Sequence, residues 1–409
     1  MKKYTASAVL TVVSLLVSGC GFIGGILGGP ASPTDTSTDD PALSGMTQCL
    51  TNAADSVTTG SSGTASGTIS PSKGFKAGAQ IGISLPQKTS QNWVEAEAMF
   101  NTALKSHGFK PTVTYAPGGV EEQQKQIAEM VTKGVSVLVV GAINGSTLDT
   151  QLKAAKNKGI TVIAYDRLLT QTEYVDMYIA FDNYKIGQLQ GQAVIQGMLN
   201  THGQPPFNIE LIAGSPDDNN STPFFNGAMS VLQPGIDCGA LVVLSGQKTQ
   251  TEAATQGWLS SNAQQRMDAI LSNYYTDAVL HGVLSPNDTL ARAALASLTN
   301  AGMTDEKTII SGQDSESESI RLIMQGTQHM TIYKSTQMLV SEIVRTIGYL
   351  QAGEPVAMND TTSYNNGIKD VPTLLLTPQV VTAENAVQVY ANDPLRAGCT
   401  EDPPRDCQR

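Results

Sequence analysis

Aromatic residues are scarce: Phe, Trp and Tyr make up 5% of the 409 positions, and Trp93 and Trp258 are the only tryptophans. Histidine occurs just at His107, His202, His281 and His329. None of the four stands in a neighbourhood that supplies a serine or cysteine nucleophile, which argues against Ser-His or Cys-His hydrolysis. No Gly-x-x-x-x-Gly-Lys segment occurs, and the glycines from Gly21 to Gly29 precede no strand-helix unit, so no phosphate-cradling loop is present. Positive charge is in deficit, with 25 Lys and Arg against 36 Asp and Glu, a net charge of -11. A surface of that sign does not neutralise phosphates, which excludes nucleic acid as a natural partner. Beyond the first twenty residues, no apolar run approaches the ~20 residues that a spanning helix requires.

What is present begins at the N-terminus. Lys2 and Lys3 precede an apolar stretch from Ala8 to Val17, followed by Val17-Ser-Gly-Cys20. Residues 1–20 read as an export signal, too short to span a bilayer. Small residues ahead of a cysteine resemble the bacterial lipobox, which implies acylation of Cys20 and residence on the extracytoplasmic face of the cell membrane. Cys49, Cys238, Cys399 and Cys407 then remain, an even number for an oxidising compartment. Their spacing fits no zinc motif, so one or two disulfides are expected, with three pairings open. No metal or cofactor is implied.

From residue 21 to residue 76 the chain is rich in Gly, Ser, Thr, Pro and Asp, and reads as a flexible tether. After Lys76, short apolar runs alternate with amphipathic stretches. Gln80 to Leu85, Ser136 to Val140, Ile160 to Tyr165 and Met177 to Phe181 read as strands, with helices over Trp93 to Ser106, Glu121 to Thr132 and Leu148 to Asn157. The second half repeats the rhythm, for example strand Asn208 to Ile212, helix Phe224 to Leu232, strand Ala278 to Val283 and helix Leu290 to Leu298. Such alternation predicts an α/β fold with two parallel-sheet lobes, and a cleft faced by the carboxyl ends of the strands.

Polar residues gather at those ends: Lys88, Asp166, Arg167, Asn219, Asn220, Asn287, Asp288, Gln313, Asp314 and Lys334. Carboxylates, amides and guanidinium groups each engage two neighbouring hydroxyls at once, as a sugar presents them. Singly, each such residue is equally well a turn cap or a hinge salt bridge. Trp93 and Trp258 sit beside loops, where an indole face stacks on the C–H side of a pyranose ring. Asp166 and Asp314 could form a carboxylate pair for glycoside hydrolysis, but the positive Arg167 beside Asp166 works against tuning it as an acid.

The residues resemble the type I periplasmic sugar-binding proteins, in the branch that binds D-xylose and multiple monosaccharides. The resemblance is carried by Ala164-Tyr-Asp-Arg-Leu-Leu169, Ile179-Ala-Phe-Asp-Asn183, Gly214-Ser-Pro-Asp-Asp-Asn-Asn220, Gly257-Trp-Leu259, Ser285-Pro-Asn-Asp288, Ser311-Gly-Gln-Asp314, Thr331-Ile-Tyr-Lys334 and Asn366-Gly-Ile-Lys-Asp-Val-Pro372. It implies two Rossmann-like lobes joined by three crossovers, near Asp182, Lys334 and Thr362. The lobes would be residues 77–182 with 334–362, and 183–333 with 363–395, followed by a tail at 396–409. It implies ligand contacts at Asp166, Arg167, Asn220, Trp258, Asn287, Asp314 and Lys334, with Trp93 as the facing aromatic. Where the xylose-binding branch has an arginine before the first tryptophan, this chain has Asn92, with Lys88 and Gln91 close by. The implied role is capture of a monosaccharide by a monomeric binding protein for an ABC permease, with presentation to a signalling receptor as the alternative and no chemistry on the ligand.

Overall fold

Apolar runs too short for a helix and flanked by turns set the frame. The computed structural model describes residues 41–57, 65–71, 74–304, 307–402 and 407. The described chain enters through helix α1 (Pro41–Asp55) and a short strand β1 (Gly67–Ile69). There follow β2 (Gln80–Leu85), α2 (Gln91–Ser106), β3 (Lys110–Tyr115), α3 (Val120–Lys133), β4 (Val137–Val140), α4 (Asp149–Asn157), β5 (Thr161–Tyr165) and β6 (Met177–Phe181). These strands pair in parallel in the order β3-β2-β4-β5-β6. Along β4, Val137 and Val139 join the core beside α2, whereas Leu138 and Val140 join the one formed with α3 and α4. A run buried on both faces therefore needs no polar alternation, as parallel strands covered by helices require.

The chain crosses to a second lobe at Asp182, whose carboxylate caps α5 (Asn183–His202) by accepting from the Lys185 N–H. Next come β7 (Phe207–Leu211), α6 (Ser221–Asp237), β8 (Leu241–Val242), α7 (Gln250–Ala253), α8 (Ser260–Tyr274), β9 (Gly282–Leu284), α9 (Asp288–Asn300), β10 (Ile309–Ile310), α10 (Ser317–Met324) and β11 (Thr331–Tyr333). The second sheet is parallel in the order β10-β9-β7-β8. After Lys334 the chain returns to the first lobe through α11 (Thr336–Ala352), capped by Ser335, then β12 (Val356–Met358) and β13 (Thr373–Leu376). It ends on the second lobe with β14 (Gln379–Val381), antiparallel to β11, and α12 (Ala386–Tyr390).

Two sequence-based boundaries are corrected. The third crossing lies beyond Leu376 rather than near Thr362, because β13 pairs in parallel with β6, from Thr373 opposite Tyr178 to Leu376 opposite Phe181, and completes the first sheet. The expected tether is not a tether throughout. Leu50, Ala53, Ala54 and Val57 recur at helical spacing and bury against Phe225, Val231 and Leu232 of α6, which docks α1 on the second lobe. β1 is antiparallel to β12 on the first lobe. The disulfides are Cys49–Cys238, which fastens α1 to the end of α6, and Cys399–Cys407, which closes the C-terminal segment. Cys20 and the export signal lie outside the described residues.

The Cys49–Cys238 bridge closes a loop of 189 residues in sequence separation. Cys49→Ser is expected to lower unfolding free energy by about 2–5 kcal/mol. Denaturant titration under oxidising conditions checks this, and limited proteolysis should then cut within 41–57.

Candidate functional site

The carboxyl ends of both sheets face one crevice. From the first lobe, the first turn of α2 brings Asn92 and Trp93, and the turn after β5 brings Asp166 and Arg167. From the second lobe, the loop after β7 contributes Asp218 and Asn220, the turn before α8 Trp258, the start of α9 Asn287, and the loop after β10 Gln313 and Asp314. Lys334 enters at the second crossing. Together with Thr89, Ser90 and Phe224 they surround about 360 Å³ of empty space, part of it open to solvent.

Backbone strain concentrates here. Asp166 (φ 60°), Trp258 (φ 57°), Asp314 (φ 93°) and its neighbour Ser315 (φ 53°) adopt left-handed conformations that ordinary side chains disfavour. Trp258 is further held by Gly214. A Cβ on that glycine would fall 2.2 Å from the Trp258 Cη2, so the indole lies directly against backbone. The Trp258 Nε1–H donates to Asp218 Oδ2 at 3.0 Å. Trp93 is 4% exposed and carries the Arg167 guanidinium 5.2 Å from its ring centre.

Opposite charges pair between the lobes, three carboxylates with two cations. Arg167 Nε lies 2.9 Å from Asp218 Oδ2, and its Nη1 donates to the Ala142 carbonyl at 3.0 Å. Lys334 Nζ sits 3.1 Å from Asp314 Oδ1 and 3.7 Å from Asp166 Oδ2. Asn220 Nδ2 donates to the Asp166 carbonyl at 2.9 Å. Burial pushes the carboxyls of Asp218 and Asp314 up, against the opposing pull of Arg167 and Lys334 respectively. Burial alone would lower the Lys334 ammonium, but Asp166 and Asp314 outweigh it and leave it raised. Beneath Asn287, the fully buried Asp288 is pushed up to about 8 by desolvation and by nearby Glu316. It accepts from the Glu316 N–H, the Thr331 hydroxyl and the Gln328 amide.

Of the residues expected at the site, Asn92, Trp93, Asp166, Arg167, Asn220, Trp258, Asn287, Asp314 and Lys334 line this one crevice. Lys88 does not: it is exposed, pairs with Glu97 at 3.5 Å and lies over the Tyr115 ring. Asn219 is also exposed, between the inward-facing Asp218 and Asn220. Arg167 pairs with Asp218 of the second lobe rather than with its chain neighbour Asp166. Asp218, Thr89, Ser90 and Phe224 line the crevice without having been singled out as ligand contacts, and Gln313, read as a strand-end polar residue, lines it too. Asp218 lies inside the Gly214 to Asn220 segment, so the motif carried the signal but not its partner.

A model of the periplasmic binding protein domain matches residues 81–355. The multiple sugar-binding periplasmic receptor ChvE of Rhizobium radiobacter is 43% identical over 312 residues, 76% of this chain and 88% of the relative. The D-xylose-binding periplasmic protein of Escherichia coli (strain K12) is 38% identical over 319 residues, 77% of this chain and 90% of the relative. A solved ABC transporter solute-binding protein from Clostridium phytofermentans, with bound β-D-glucose, matches at TM-score 0.74 and 35% identity, covering 79% of this chain and 100% of that one. The chain belongs to the type I periplasmic sugar-binding protein family.

A raised carboxyl keeps its proton in the folded protein over a range where the unfolded chain has lost it. Its contribution to stability is therefore full below the ordinary carboxylate range and is lost as pH rises through the folded value. For Asp288 that window runs from about 4 to about 8. The thermal midpoint without ligand is expected to fall from pH 5 to pH 8, and Asp288→Asn to flatten that fall. Calorimetry at matched ionic strength measures both.

Proposed function

We propose that this protein captures a single aldopentose or aldohexose, of the xylose, glucose or galactose kind, and delivers it to an ABC permease without altering it. The observation that carries this reading is the meeting of Trp93 and Trp258, from opposite lobes, on one crevice lined by ionic and amide groups. Indole faces suit the C–H side of a sugar ring, and the polar lining suits its hydroxyls. Because the cationic and anionic side chains already pair with each other, the ligand needs no charge. Buried Gln313 Oε1 has no hydrogen-bond donor among the described residues. Sugar hydroxyls would supply the donors that such atoms require.

The glucose bound to the Clostridium phytofermentans relative and the names of the multiple sugar-binding and xylose-binding relatives support the ligand class. The ABC transporter context of that solved relative supports delivery to a permease. In this reading the protein works as a monomer outside the cytoplasm, held to the membrane through acylated Cys20.

Titration with D-glucose, D-galactose and D-xylose, followed by tryptophan fluorescence and calorimetry, is expected to give saturable binding of at least one sugar. Asp314→Ala is expected to weaken it by about 1–3 kcal/mol, since it strands buried partners. Flat titrations across the panel would overturn the reading. Cys20→Ala is expected to abolish labelling by a fatty-acid analogue and to release the protein from the membrane fraction.

A further inference from the structure

At the rim of the crevice, a second set of contacts joins the lobes without lining the cavity. Glu95, one turn into α2 of the first lobe, meets Arg396 of the C-terminal segment, with Oε2 and Nη2 3.0 Å apart and the side chains 6% and 1% exposed. Arg396 is seated on the second lobe by its own bonds. Its Nε donates to the Ser315 carbonyl at 2.8 Å, and its Nη1 contacts Asp393 Oδ2, which also accepts from the Tyr333 hydroxyl. The Cys399–Cys407 bridge closes the chain just beyond it. Gln91 spans the same gap: its Oε1 accepts from the Ser317 N–H at 2.8 Å, and its Nε2 reaches both Ser317 Oγ and Glu95 Oε1 at 2.9 Å.

None of Gln91, Glu95 and Arg396 lines the crevice. They grip the loop that does. Asp314 points into the cavity, Ser315 next to it gives its carbonyl to Arg396, and Ser317 binds Gln91. Arg396 also lies outside residues 81–355, the span matched by the family model. A buried ion pair whose partners sit on different lobes exists only while the lobes are together, and separating them strips Glu95 of its counter-charge and leaves Arg396 with Asp393 alone.

We propose that Glu95, Arg396 and Gln91 form a closure latch that sets the balance between open and closed lobes, and so scales affinity for every sugar without touching any. The proposal rests on the sugar-binding reading above, in which the lobes part to admit ligand. An apparent dissociation constant equals the intrinsic one divided by the competent fraction, so a weakened latch raises it by one common factor. A contact residue would instead change the ratios among sugars.

The test uses the full chain with Glu95→Gln and Arg396→Met, each titrated with D-glucose and D-xylose by calorimetry. The latch predicts an equal rise in both dissociation constants, roughly 5–100-fold, the usual span of coupling between sites. It also predicts a larger radius of gyration by small-angle scattering without sugar. Unchanged constants, or a rise that differs between the two sugars, would overturn it. Should either variant lose cooperative unfolding, Gln91→Ala removes lobe-spanning hydrogen bonds without baring a charge, and the same two outcomes decide. If the unaltered protein binds neither sugar, the sugar reading fails alone. Scattering then judges the latch, and equal radii for variant and parent would overturn it.

Discussion

Charged side chains removed from water must find opposite charges within a few ångströms, and in the crevice the partners come from different lobes. Arg167 of the first lobe needs Asp218 of the second, and Lys334 at the crossing needs both Asp166 and Asp314. Leaving one such charge buried and unpaired costs several kcal/mol, so the two sheets are coupled through the crevice rather than merely adjacent. The sheets themselves are ordinary apolar cores, and they place the paired groups where the strand ends converge.

That constraint explains the local strain. Asp166, Trp258 and Asp314, which line the crevice, and Ser315 beside Asp314 all take left-handed backbone conformations. On a regular strand side chains alternate between the two faces of the sheet, and the unfavourable turns at its end re-aim them into the gap. Asp218 shows the economy of the arrangement: one carboxylate oxygen receives the Trp258 N–H and the Arg167 guanidinium, fixing an aromatic face and a cation together. The rim follows the same rule, with buried Glu95 meeting Arg396 across the lobes.

Much of this was legible in the chain because short-range patterns govern it. Gln80–Leu85 and Met177–Phe181 are strands with the limits read from their apolar runs, since a strand buried on both faces is simply a hydrophobic segment between turns. Asn287 and Asp314 stand at strand ends in recognisable segments and do face the crevice. Lys88 was misplaced because nearness to a strand end does not say which way a loop side chain turns; it stretches outward over Tyr115, while α2 directs Asn92 and Trp93 inward. Helix α1 escaped notice because its buried residues are Leu50, Ala53 and Ala54, and two alanines give little apolar contrast.

The sequence by itself determined the parallel α/β rhythm, the pair of tryptophans and the family segments, because each depends on residues close along the chain. Only the tertiary structure decided that Arg167 pairs with Asp218 rather than Asp166, that Cys49 meets Cys238, and that Arg396 reaches Glu95. Those partners lie 51, 189 and 301 positions apart. Folding brings such distant residues together through the packing of whole lobes, and no local preference encodes which of several equivalent carboxylates or thiols will be in reach.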